Sequence, residues 1–193
     1  MVGPLKRAPG GFEYIYVAID KFTMWIEYKP HVKFNATKAI EFMQDIMYRF
    51  GMPNRIITDL SSPLKAVEFR SWAQDYGISI DYASIVHPQA NGQVEQANGL
   101  LLAVLKPRLL AELKDYGGKW IYELPKVVWE LRTQQSRSIG YSLFFLVYGS
   151  EAILPADLIW NSPRVEQYNE GKADETWRLE IESAKEIKLN ALF

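Results

Sequence analysis

The sequence predicts an α/β domain with a mixed sheet flanked by helices. Short runs of β-branched and aromatic residues alternate with segments in which apolar residues recur every three or four positions. Their order along the chain is strands, helix, strand, helix, strand and then further helices, which is typical of an α/β fold. With 193 residues, of which 48% are hydrophobic, the chain can bury a sizeable core.

Two strands are predicted near the start of the chain. Residues 14–19 are β-branched and aromatic, and residues 25–29 alternate between apolar and polar side chains. Gly10-Gly11 precedes them as a turn signal. Residues 1–5 could form the end of a further strand.

The next segment predicts a helix over residues 36–50, because its apolar residues fall at steps of three and four. Asn35 is a suitable N-cap, and Gly51 ends the helix. A short buried strand at Ile56-Ile57 follows and leads to Asp59.

A second helix is predicted over residues 66–76, followed by a strand at 78–82. A long helix is then predicted over residues 92–113, with Asn91 as its cap and a kink at Pro107.

The C-terminal third is predicted to be mainly helical. Residues 119–133 have a helical pattern that we expect to be interrupted at Pro125. Residues 140–163 predict packed but irregular chain, because glycine and proline recur there. Residues 173–189 are charged and favour another helix.

Composition excludes several classes of site. The chain has no cysteine, which excludes disulfides and cysteine-based zinc sites. His31 and His87 are its only histidines, too few for an all-histidine zinc cluster. No apolar run reaches the ~18 residues of a membrane span, and no signal-peptide pattern is present, so we expect an intracellular, soluble protein.

The net charge of −1 lacks the positive excess of a stand-alone nucleic-acid binder. Any DNA contact therefore needs a local patch or other domains.

Asp59 and Glu95 are the candidate catalytic and metal-binding residues. Asp59 closes a predicted strand, and Glu95 lies in the first turn of a predicted helix, with 35 residues between them. Two carboxylates placed in this way could converge on one divalent metal ion. Such an arrangement suits metal-assisted phosphodiester chemistry.

Polar side chains surround Glu95 in the segment HPQANGQVEQAN. They are candidates for contact with DNA backbone or bases. The alternatives stay open, since the histidine could simply hold the loop and the amides could form a solvated helix face. The candidates are His87, Asn91, Gln93, Gln96 and Asn98.

Six stretches of the chain together resemble the integrase catalytic core of gypsy-type LTR retrotransposons, of the sort abundant in plant genomes. The resemblance covers residues 1–163, which we expect to be the core, and residues 164–193 resemble the start of a charged helical tail or linker. The stretches are VGPLKRAPGGF at 2–12, YVAIDKFTMWIE at 16–27, FGMPNRIITD at 50–59, HPQANGQVEQANG at 87–99, GGKWIYELP at 117–125 and FFLVYGSEAILP at 144–155.

The resemblance implies a ribonuclease-H-like fold and an acidic triad of two Asp and one Glu that holds Mg²⁺ or Mn²⁺. Asp59 matches the second Asp of that triad, and Glu95 matches the Glu. The first Asp would lie one residue ahead of Met1, so the core is expected to be truncated within or just before its first strand. Leu60-Ser61 stands where the family has Asn-Gly. We therefore expect weak metal binding and impaired catalysis.

The family's partners are also implied by the resemblance. They are DNA, in the form of retroelement ends and target DNA, and a possible second copy of the chain. The resemblance also implies a nuclear location, no membrane partner and no zinc. Two alternatives remain, namely a non-catalytic DNA-binding or dimerisation module with the same fold, and a ribonuclease-H-like nuclease. Asp20 could replace the missing carboxylate, but we expect it to be a strand-end residue that interacts with Lys21 or Thr23.

Overall fold

The computed structural model describes residues 2–58, 62–82, 118–135 and 140–166. The chain forms two compact units, one of Met1–Ile19 with Ile26–Val127 and the other of Asp20–Trp25 with Val128–Phe193. The elements of the first half are β1 Tyr14–Ile19, β2 Ile26–His31, α1 Ala36–Phe50, β3 Arg55–Thr58, α2 Ser62–Lys65, α3 Val67–Asp75 and β4 Ser79–Tyr82. Those of the second half are α4 Trp120–Thr133, α5 Leu143–Tyr148, α6 Pro155–Ile159 and α7 Pro163–Glu166.

The strands of the first unit form one antiparallel and one parallel pair in the described residues. β1 runs antiparallel to β2, with Tyr14 opposite His31. β3 and β4 are parallel, so that the strand pairing of the fold is mixed, as predicted. The strand considered at residues 1–5 is observed as a single antiparallel bridge from Val2 to Ile15.

Helix α1 has the bounds that the apolar pattern predicts. The side chain of Asn35 accepts a hydrogen bond from the backbone N–H of Lys38 at 2.9 Å, which caps the N-terminus. The N–H of Gly51 donates to the carbonyl of Met47 at 2.8 Å and ends the helix. Both cap predictions are confirmed.

The core of the first unit lies where α1 and α3 pack against each other and against the strands. Its members are aromatic and aliphatic side chains, which supply most of the apolar area removed from water. They include Tyr16, Ala36, Ala39, Phe42, Met47, Phe69, Trp72, Ala73 and Ile78.

The second unit has a smaller aromatic core. The buried ring of Trp25 makes edge contacts with Phe144 and Tyr148, whose ring centroids lie 6.3 and 5.5 Å away. The guanidinium of Arg132 lies over the same indole, 4.2 Å from its centroid. The loop that carries Trp25 is thereby held to this unit.

The structure differs from the sequence-based expectation at Pro125. Helix α4 continues through this residue instead of being interrupted. A proline removes one helical hydrogen bond, but Leu124 and Val127 on either side are fully buried and hold the helix by packing.

The region predicted as irregular, residues 140–163, instead holds the short helices α5 and α6, and α7 begins at its end. Gly149, Pro155 and Pro163 lie at the boundaries of these helices. Ser142 caps α5 by accepting a hydrogen bond from the N–H of Phe145 at 3.0 Å, and Gly149 ends it.

The predicted helices over 92–113 and 173–189 lie outside the described residues. Within the part of the chain that is described, no helix is long and apolar enough to cross a membrane.

Candidate functional site

The parallel pair β3–β4 defines the edge at which the sequence places its first candidate carboxylate. The two strands run in the same direction and stay in register to their last residues, where Thr58 lies opposite Tyr82. In α/β sheets the carboxyl ends of parallel strands form the edge where ligands bind. Asp59 is the next residue after Thr58 in the sequence.

Contacts from α2 and across the two strands fix this edge. The hydroxyl of Tyr82 donates to the backbone carbonyl of Leu64 at 3.1 Å, which ties the end of β4 to α2. Across the pair, Arg55 at the start of β3 forms an ion pair at 2.8 Å with Asp81 near the end of β4. Thr58 is buried. The backbone leading to residue 59 is therefore well anchored.

The predicted site residues themselves lie outside the described residues. These are Asp59, Glu95, His87, Asn91, Gln93, Gln96 and Asn98. Their convergence stays a prediction. Among the residues with described positions, no group of three or more His, Cys, Asp or Glu side chains could hold a metal ion.

Asp20, the alternative carboxylate, has a local structural role. Its Oδ2 accepts hydrogen bonds from the backbone N–H and the hydroxyl of Thr23, each at 2.7 Å. This is the strand-end interaction with Thr23 that the sequence predicts, and it stabilises the turn after β1. A carboxylate committed to its own turn is a poor substitute for a metal ligand.

Sequence reasoning missed two buried polar groups on β2. Glu27 is buried and forms an ion pair with Arg49 of α1 at 2.8 Å. His31 is also buried, and its Nε2 has no hydrogen-bond partner. A two-residue alternation in the sequence could have placed both on the inner face of the strand.

Burial changes the proton affinity of two rings in this region. It lowers the pKa of His31, and the positive charges of Lys29 and Lys38 lower it further, against the opposing effect of Glu41 and Asp45. Burial also raises the pKa of Tyr16 to about 12, and the hydroxyl of this ring donates a hydrogen bond to the carbonyl of Asn35. His31 is therefore held neutral in the fold near pH 7.

A contact between two of the six sequence stretches was also missed. The indole N–H of the buried Trp120 donates to the backbone carbonyl of Lys6 at 2.8 Å, across 114 positions of the chain. Gly118 lies so close that a Cβ there would be 2.6 Å from both the carbonyl of Arg7 and the Cα of Ala8. We call this contact between 118–120 and the loop 5–12 the clasp.

Comparison with known proteins gives relatives by sequence. No family model matches the chain. It is 30% identical over 144 residues to the Gag-Pol polyprotein of Avian reticuloendotheliosis virus, covering 74% of this chain and 12% of that protein. It is 26% identical over 154 residues to the Pro-Pol polyprotein of Simian foamy virus type 3, strain LK3, covering 80% and 13%. The chain thus spans about an eighth of the length of these relatives.

Solved structures give the fold. A chain of the simian T-cell lymphotropic virus intasome, in complex with PP2A regulatory subunit B56 gamma, superposes with a TM-score of 0.62 at 17% identity, covering 77% of this chain and 52% of that one. The HTLV-2 integrase catalytic core domain in complex with magnesium, in its trimeric form, gives 0.54 at 20% identity, covering 67% and 81%. The chain therefore shares the fold of the HTLV-2 integrase catalytic core domain and of this intasome chain.

The ribonuclease-H-like fold of such cores confirms the predicted fold class. The coarser part of the resemblance is also confirmed, because the relatives that the chain matches in sequence are integrase regions of retroviral Pol polyproteins.

Proposed function

We propose that this integrase core-type domain belongs to a gypsy-type LTR retrotransposon and acts on DNA through Asp59 and Glu95. The observation that carries the proposal is the parallel β3–β4 pair, whose two ends meet at one edge immediately before residues 59 and 83. The segment that starts at residue 83 continues into HPQANGQVEQAN at 87–98, which contains Glu95. Short loops from neighbouring strand ends are the usual way to bring distant side chains to one site.

Asp59 and Glu95 would hold Mg²⁺ or Mn²⁺, because carboxylate oxygens are the ligands that these hard cations prefer. When bound, the metal would activate a water or a DNA 3′-hydroxyl for attack on a phosphodiester. His87, Asn91, Gln93, Gln96 and Asn98 would position the DNA from the same segment as Glu95. Under this proposal the core spans residues 1–163, residues 164–193 form a linker, and the protein works in the nucleus.

The pair Leu60-Ser61 weakens the proposed site. A leucine cannot make the polar contact of an asparagine, and a serine restricts the backbone where the family has glycine. We therefore propose that metal affinity and catalysis are reduced in this chain. This feature also favours the second candidate function, a non-catalytic DNA-binding or dimerisation module with the same fold.

The test is a DNA joining assay with Mn²⁺ on the chain and on a version extended at its N-terminus by a strand that ends in Asp. Each version is assayed with its own residues at 60 and 61 and with the double substitution Leu60→Asn/Ser61→Gly. Every one of these proteins is also assayed with Glu95→Gln. We expect the extended version with both restored residues to join DNA, and Glu95→Gln to lower the rate by ~10² or more, as loss of a metal ligand typically does. Joining that is unchanged by Glu95→Gln would reject the proposed site. Salt-dependent DNA binding without joining in any version would instead favour the non-catalytic module.

A further inference from the structure

Five cationic side chains of the first unit have a close carboxylate partner among the described residues. The described partners are Asp45 for Lys29, Glu41 for Lys38, Glu27 for Arg49, Asp81 for Arg55 and Glu123 for Lys126. Since the chain carries 22 basic and 23 acidic residues, little positive charge is left over for a polyanion. A DNA-binding surface must come from the cations that are not paired in this way.

Lys6 and Arg7 are adjacent cations whose positive charges have little or no compensation from the described carboxylates. Lys6 is exposed and has no ion-pair partner among the described residues. Arg7 lies 4.0 Å from Glu13, at the outer limit of an ion pair, and three quarters of its side chain is exposed. Solvent screens a contact of that length strongly, so Arg7 keeps most of its capacity to bind an anion.

The backbone beneath these two cations is held on both sides. Within the loop, the N–H of Leu5 donates to the carbonyl of Glu13 at 2.7 Å, and the N–H of Ala8 donates to that of Phe12 at 2.9 Å. From outside the loop, Trp120 and Gly118 of the clasp reach Lys6 and Arg7. Every one of these contacts uses backbone atoms of the loop, so the two basic side chains remain available to solvent.

Two adjacent basic residues therefore stand on a loop whose backbone is held by a buried indole. A rigid backbone lowers the entropy lost when long side chains bind a ligand. Phosphates of a nucleic-acid backbone are the ligand that such a surface fits, since they are regularly spaced anions read by Lys and Arg.

We infer that the clasped loop, with Lys6 and Arg7 as its contacts, is a binding site for the phosphate backbone of duplex DNA. This inference rests on the proposed function. It adds a contact surface on the loop before β1, separate in sequence from the segment that carries Glu95.

The experiment measures binding of the whole chain to a fluorescent DNA duplex over a series of salt concentrations. Lys6→Gln/Arg7→Gln is compared with Lys21→Gln/Lys33→Gln, which removes the same charge from exposed lysines without described ion pairs. We expect the first double variant to lower the slope of log K against log salt by about 1.8, since each phosphate contact contributes about 0.9. The control should keep the slope of the wild type.

Each outcome has one reading. If the wild type shows no salt-dependent binding to the duplex, the proposed DNA function falls and the inference falls with it. If the wild type binds and both double variants behave alike, only the inference about the loop is overturned. Trp120→Phe tests the clasp itself, because it keeps a buried ring but removes the N–H. If Trp120→Phe melts as a folded protein but lowers the slope of log K against log salt, the result supports a loop fixed by the clasp. An unchanged slope shows that DNA binding does not need the clasp.

Discussion

Gly118 is the residue of the clasp that tolerates substitution least. Its φ of +105° lies in a region that L-residues avoid, and a Cβ would lie 2.6 Å from two backbone atoms of the loop. Any side chain at this position must therefore push the loop that carries Lys6 and Arg7 away.

Gly118→Ala is expected to lower the free energy of unfolding by about 2–4 kcal/mol, the sum of backbone strain and overpacking. Gly77→Ala is the matched control, since Gly77 also has a positive φ, of +68°, but nothing within 4 Å of its Cβ position. It should show only the strain, about 1–2 kcal/mol. Urea unfolding of both variants gives the comparison, and equal losses would show that the close approach to the loop is not real.

His31 provides a second test at the scale of one residue. Its pKa is lowered in the folded state, whereas in the unfolded chain it should be about 6.5. The unfolded state therefore binds more protons between these two values. Stability from this residue is fully present above pH 6.5 and is lost as the pH falls through 6.5 toward the lowered folded pKa.

The measurement is the free energy of unfolding of the wild type and of His31→Phe between pH 5 and 8. We expect the difference between the two proteins to be constant above pH 7 and to shift against the wild type below pH 6.5. A difference that stays constant over the whole range would mean that His31 is free to protonate in the fold.

At the scale of elements, local patterns predicted most of what is observed. The bounds of α1 and β1 follow from side-chain periodicity and from caps, which are short-range features. The sequence could not reveal the clasp, because Lys6 and Trp120 are 114 positions apart and nothing local marks the pairing. Helix α4 shows a similar limit, since the local signal of Pro125 is outweighed by the burial of its neighbours.

Pro125→Ala is therefore expected to stabilise the protein. It restores one helical hydrogen bond and removes the clash of the ring with the preceding turn, and the greater freedom of the unfolded chain offsets only part of this. We expect a gain of about 1–3 kcal/mol in thermal or urea unfolding. Lys126→Ala, at the next exposed position, should change stability by less than ~0.5 kcal/mol. A loss of stability in Pro125→Ala would contradict this expectation and show that the proline ring itself stabilises the helix.

At the scale of the whole molecule, the fold class followed from the order of elements and from six sequence stretches. The geometry of the candidate site could be predicted from the sequence only in part. It depends on how the ends of β3 and β4 direct the chain beyond Thr58 and Tyr82. The strand register brings those ends together. We therefore predict that the carboxylates beyond them, Asp59 and Glu95, share one metal ion.

The most direct measurement is an NMR titration of the labelled chain with Mn²⁺, whose unpaired electrons broaden the signals of nearby amides. One shared ion should broaden the signals around residues 59 and 95 together, at the same Mn²⁺ concentration. Asp59→Asn or Glu95→Gln should remove both effects, while Asp75→Asn, at an exposed position on α3, should remove neither. Broadening around only one of the two residues, or broadening that survives both substitutions, would contradict the shared metal site.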